Sequence, residues 1–177
     1  MSIYDRIYEI AADHYGLITT EKAKFIGIPN VELVKLAHRG KLQRLGHGLY
    51  RITRYIPTSF DAFAEAVEMV GPDAYLYGES VLAIHGLIPT NPSYVHVATP
   101  TRIRKKLPAH IHVIRINAHE IKVYYEGIPS QNALNAIRVS IGSIMNERLI
   151  EAIYEARRIG IITASDVKML TKELKND

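Results

Sequence analysis

The reading of this chain turns on residues 16–52, GLITTEKAKFIGIPNVELVKLAHRGKLQRLGHGLYRI. Thr19 or Thr20 can cap a helix through Ala23 and Phe25, because a side-chain oxygen accepts from the orphan amides of a first turn, and Gly27 then stops that helix. After Ile28, Pro29 and Asn30 open a second short helix. Its apolar residues Leu33, Leu36 and Ala37 fall on one face, Glu32, Lys35 and Arg39 line another, and Gly40 ends it. Residues 41–45 and 49–52 then alternate as two short strands around Gly46-His47-Gly48, where glycine permits the positive φ of a tight hairpin. Helix, turn, helix and basic hairpin in that order predict a winged helix-turn-helix.

A turn of a few residues between two short helices lets the second enter a major groove while the first spans the backbone, and a wing can reach neighbouring phosphates. Arg39, Lys41, Arg44 and Arg51 crowd into this wing and the residues just before it, where cationic side chains can release counterions from DNA. The candidate DNA-binding set is therefore Thr20, Asn30, Glu32, Lys35, Arg39, Lys41, Arg44, His47 and Arg51. Within it Asn30 can pair with adenine, Glu32 can accept from a cytosine amino group, and Lys35 can donate to guanine or phosphate. The competing reading is an ordinary solvated basic face, which the two short helices ahead of the hairpin weigh against.

The residues Gly16-Leu17-Ile18-Thr19-Thr20, Ala23, Gly27-Ile28, Gly40-Lys41-Leu42, Arg44-Leu45-Gly46 and Gly48-Leu49-Tyr50-Arg51 resemble the N-terminal winged helix of the AbiEi-family antitoxins. A weaker echo in Gly78-Glu79-Ser80-Val81-Leu82-Ala83-Ile84-His85-Gly86-Leu87 resembles the start of that family's second domain. The resemblance implies a type IV (abortive infection) antitoxin that represses its own operon at inverted repeats in double-stranded operator DNA. It further implies a functional partner, a nucleotidyltransferase-like toxin that this protein counteracts. The recognition helix departs from the family's more cationic pattern by placing Glu32 beside Lys35, so the base sequence it reads does not carry over.

With 177 residues, 47% of them apolar, the chain can bury one sizeable core or two modest ones. Having no cysteine, it lacks disulfides, thiolate metal sites and cysteine nucleophiles together. Charges at Asp5, Arg6 and Glu9 interrupt the N-terminal run, and no apolar stretch approaches membrane-spanning length, so a soluble cytoplasmic protein without a membrane partner is expected. Residues 1–56 hold nine Lys and Arg against five acids, whereas the remainder balances thirteen against thirteen. On that division the whole net charge of +4 sits in the candidate DNA-binding part.

Ahead of the winged stretch, Ile3, Ile7, Ile10 and Ala11 predict an amphipathic helix over residues 2–14, with His14 near its end. Beyond it the pattern breaks at Pro57-Thr58-Ser59, which places a domain boundary between residues 1–56 and 57–177, with Ser59 a candidate cap for a helix ending before Gly71-Pro72. A short helix at residues 80–85, a loop forced by Gly86, Pro89 and Pro92, and strands at 94–98, 111–116 and 121–125 follow. The sheet is expected to be covered mainly on one side. Helices over 131–140 and 146–158, the latter with Leu149, Ile150, Ile153 and Tyr154 on one face, precede a closing helix capped from Thr163-Ala164-Ser165-Asp166. The fold class is α+β: a winged helix-turn-helix, then a mixed domain with a small sheet and C-terminal helices.

Catalytic readings are weaker. His110 and His112 alternate onto one strand face with His119 nearby, but Glu120 is the one neighbouring acid and no second pair stands at ligand spacing, so neither a metal nor another cofactor is predicted. Ser80 lacks the second glycine of a nucleophile elbow and reads as a helix start. Arg102, Arg104, Lys105 and Lys106, in a loop bounded by Pro100 and Pro108, form a possible second basic patch that could be solvated, contact DNA or dock an acidic protein. The sequence thus predicts a regulator and no enzyme, the alternative to the antitoxin being a plain winged-helix regulator whose second domain dimerises or senses a ligand.

Overall fold

Helix α1 (Ile3–Ala12) opens with a capping box: the Asp5 amide donates to Ser2 Oγ at 3.1 Å and the Ser2 amide to the Asp5 carboxylate at 2.8 Å. Ile7 and Ala11 are its buried residues. The chain continues through β1 (Leu17–Thr19), α2 (Thr20–Phe25), α3 (Asn30–His38), β2 (Leu42–Gly46), β3 (Leu49–Ile52) and α4 (Asp61–Val70). The computed structural model describes residues 1–91, 93–117 and 120–176. The chain divides into two compact units, Met1–Met69 and Val70–Asp177.

In the first unit both predicted helices and both hairpin strands form. Thr19 is the cap of α2, its Oγ1 accepting from the Lys22 amide at 3.1 Å, while Pro29 precedes α3 without a side-chain cap. What the sequence hid is β1. Residues 17–19, which read as a capping run, pair antiparallel with β3 (Leu17↔Arg51, Ile18↔Tyr50, Thr19↔Leu49), giving a sheet in the order β1-β3-β2. Three residues are too few for a period of two to register, and the strand exists because β3 supplies its hydrogen-bond partners. Ile7, Ala11, Ile18, Ala23, Ile28, Leu33, Leu36, Leu42, Tyr50 and Ile52 form one core beneath helices and wing.

Helix α4 lies in the first unit but for its last residue. Its entry is organised by Thr58 rather than Ser59: the Phe60 amide donates to Thr58 Oγ1 at 3.2 Å, and that hydroxyl donates to Asp61 at 2.7 Å. The sequence break at residues 54–59 and the division after Met69 are thus different places, because side chains of α4 reach back onto the wing.

The second unit runs β4 (Tyr75–Leu76), α5 (Glu79–Ile84), β5 (Val95–Thr99), β6 (Ile111–Arg115), β7 (Val123–Tyr125), β8 (Ile128–Ser130), α6 (Ala133–Val139), α7 (Asn146–Arg158) and α8 (Ala164–Lys175). The strands form a mixed sheet in the order β6-β5-β4-β8-β7. β5 and β6 are parallel, so their connection must carry the chain back along the sheet. Two strands went unforeseen: β4 has two residues, and β8 contains Pro129, a residue that argues against a strand. Ser80 is a buried residue of α5 whose hydroxyl accepts from the His96 amide at 2.8 Å, tying helix to sheet. On α7 the buried stripe is Leu149, Ala152, Ile153 and Ala156, with Ile150 and Tyr154 exposed. Small alanines let another element approach closely, which a reading weighted toward large apolar residues misses. The Thr163–Asp166 capping box of α8 forms as expected.

Candidate nucleic-acid interface

Two elements carry the candidate residues, and the core fixes both. Leu33 and Leu36 are buried, so α3 has one possible roll about its axis. That roll turns Asn30, Val31, Val34, Lys35 and His38 outward, all exposed. Glu32 lies on the flank, half-buried, where its carboxylate accepts from Lys35 Nζ at 2.8 Å. Arg39 caps the C-terminal end of the helix and is exposed. The helical spacing of Val31, Val34 and His38 marks this outward face in the sequence, and that face is more apolar than its charged residues alone suggest.

The wing is a two-residue turn, His47-Gly48, on strands in the register Leu42↔Ile52, Gln43↔Arg51, Arg44↔Tyr50 and Gly46↔Leu49, with an irregularity between Arg44 and Gly46. Such bulges bend a hairpin and increase its twist. Gly48 has φ of +66°, and a Cβ there would meet Thr20 Oγ1 at 2.8 Å. The Thr20 amide donates to Gly48 O at 2.9 Å, so the start of α2 and the wing tip hold each other. Thr20 is half-buried in that contact, whereas His47 is exposed at the tip. Arg44 is exposed and its Nε donates to Gly46 O at 3.3 Å. Lys41 is exposed, with Nζ 5.6 Å from the centroid of the Tyr4 ring, a cation–π contact from the base of the wing to α1.

Arg51 is placed differently from the rest. Its side chain is only 15% exposed, Nη1 donates to the Glu65 carboxylate, Nε donates to Tyr15 O at 3.2 Å, and the guanidinium lies 5.2 Å from the Tyr55 ring centroid. Tyr55 in turn donates to Asp61 at 2.8 Å, and burial, reinforced by that bond, raises its pKa. On α4, Glu68 takes the Lys22 ammonium at 2.6 Å. Arg51 and Lys22 therefore clamp α4 to the winged helix, and two of the cations counted from sequence are neutralised at close range. The exposed remainder, Asn30, Lys35, Arg39, Lys41, Arg44 and His47, is a set of donors suited to phosphate oxygens and to acceptor edges of bases.

Arg102, Arg104, Lys105 and Lys106 are all exposed and lie in the connection between β5 and β6, in the second unit. His112 meets His96 across the parallel register and Tyr94 edge-on, with ring centroids 5.4 Å and 4.7 Å apart. Burial holds the His96 imidazole below its usual pKa, partly offset by Glu79. His110 is half-buried, and His119 lies outside the described residues. Among the described residues no three His, Cys, Asp or Glu side chains converge as a metal site. No helix among them is long and apolar enough to cross a membrane.

Residues 5–53 match the family model described as "Transcriptional regulator, AbiEi antitoxin". The match runs from within α1 to the end of the wing, and the echo at residues 78–87 lies outside it. No curated protein matches the chain significantly.

Proposed function

We propose that this protein is a DNA-binding antitoxin and autorepressor of a type IV toxin–antitoxin operon, and that it counteracts a nucleotidyltransferase-like toxin encoded beside it. The observation that carries the reading is the coincidence of the matched residues 5–53 with a winged helix whose α3 and wing keep their donors exposed. Residues 1–56 are the DNA-binding part and residues 57–177 the antitoxin part. In this mechanism α3 enters the major groove, and Lys35, Arg39, Lys41, Arg44 and His47 take backbone and groove acceptors. Thr20 acts by holding the wing tip, and Arg51 by holding α4. The protein acts by binding and not by catalysis, as the matched family's description as a transcriptional regulator supports.

The test has two arms. A reporter fused to the DNA upstream of the gene should be repressed by the intact chain, and growth arrest caused by the adjacent reading frame should be relieved by it. Repression without relief favours the plain regulator, whose second domain dimerises or senses a ligand. Neither repression nor relief sinks both.

A further inference from the structure

We infer that Val31 and Val34 read thymine methyl groups on neighbouring base pairs, a specificity role that rests on the DNA-binding reading above. The two valines stand three positions apart on the outward face of α3, 54% and 40% exposed. Single exposed apolar residues are common and need no explanation. Here two β-branched residues occupy the solvent side of a nine-residue helix, where straight-chain polar residues would favour both helix and solubility. Lys35 on the same helix, Arg39 at its C-terminal cap and Lys41 and Arg44 on the wing are exposed cations of the same winged helix.

Exposed cations on the helix and wing select a polyanion, and apolar residues on the same outward helix face then meet whatever apolar group that polyanion displays. In the major groove of DNA that group is the C5-methyl of thymine. Three residues of helix rise about 4.5 Å, close to the roughly 3.4 Å step between base pairs, so the valines address adjacent pairs. Valine suits the task because its restricted χ1 presents its methyl groups with little rotamer entropy to lose.

The experiment uses the full chain and a library of duplexes with a randomised centre. From the selected duplex, each thymine is replaced singly by uracil, which deletes the methyl and leaves every hydrogen-bonding group in place. Binding of the parent, Val31→Ala and Val34→Ala is then titrated by fluorescence anisotropy at fixed salt. Uracil should weaken the parent about fourfold at one or two positions per half-site, the worth of one buried methyl group. Each loss should vanish in one valine variant, with the salt slope unchanged. Alanine favours helix, so the variants keep the fold.

Sequence-selective, salt-dependent binding by the parent with no uracil effect, or the same uracil effect in parent and variants, overturns this assignment and leaves the DNA-binding reading standing. A parent that selects no sequence and shows no salt dependence overturns both. An altered oligomeric state of either variant in sedimentation, with the uracil response intact, assigns the face to a second copy of the chain and likewise overturns the base-reading role.

Discussion

Arg44 and Arg51 look alike in the sequence, two arginines on a basic hairpin, yet one is exposed and the other is held by Glu65, Tyr15 and Tyr55. Arg44→Ala should lower the salt slope of DNA binding by about one unit while leaving thermal unfolding unchanged. Arg51→Ala should instead lower stability by about 1.5 to 3 kcal/mol, because it removes charge-assisted hydrogen bonds and strands the Glu65 carboxylate. Salt titrations alongside thermal melts separate the two, and equal slopes with equal melting temperatures in both variants would reject the distinction. Glu32 is a second case. Its pair with Lys35 is a partly exposed i,i+3 contact worth only about 0.2 to 0.5 kcal/mol, so DNA can take the lysine from it. Glu32→Ala should therefore tighten binding to unrelated duplexes and relax any preference for cytosine at one position, which a panel of operator variants would reveal. Weaker binding to every duplex would mean that Glu32 positions Lys35 productively.

Among the elements, the wing depends on one backbone position. Gly48 has positive φ and no room for a Cβ against Thr20, so Gly48→Ala should cost about 1 to 3 kcal/mol and loosen the hairpin. Faster amide exchange in β2 and β3 than in α1 would show it, and uniform exchange throughout would not fit. The other element in question is α4, where Glu65, Glu68 and Asp61 meet Arg51, Lys22 and Tyr55. A fragment of residues 1–56 should melt at a lower temperature than a fragment of residues 1–70, even though the shorter one contains the whole winged helix. Equal melting temperatures would show that α4 contributes nothing to the first unit.

Over the whole molecule, charge assigns differently once the compact units replace the sequence break. Counted over residues 1–69 the cations are nine against eight acids, and residues 70–177 hold thirteen against ten. The excess that favours DNA is thus a matter of which groups are exposed on α3 and the wing, not of the net charge of a domain. Titration behaviour adds a prediction for the second unit. Burial, and then the charge and hydrogen bond of Glu120, push the Tyr75 phenol up to about 12. The folded state then holds a proton that the unfolded chain loses near pH 10, so this contribution to stability is full below about pH 10 and is lost between about pH 10 and 12. Tyr75→Phe should flatten that part of a denaturant-stability profile. An unchanged profile would remove Tyr75 as its source.

The helices and wing strands of the first unit are legible in the sequence because their signals are local: the caps, the helical spacing and the Gly-rich turn each act over a few residues. The candidate interface was legible in outline for the same reason, since the two short helices and the basic hairpin name α3 and the wing. What the sequence could not supply was decided by distant partners. β1 is a strand because β3 lies beside it, and β4 and β8 are strands through a mixed sheet despite a two-residue length and a proline. Arg51 leaves the exposed set because Glu65, fourteen residues further on, meets it across the fold. Burial of Leu33 and Leu36 fixes the roll of α3, and that roll brings Val31 and Val34 to the surface. A sequence states which groups are present and which lie close along the chain, whereas exposure and neutralisation depend on contacts made only after the chain has closed on itself.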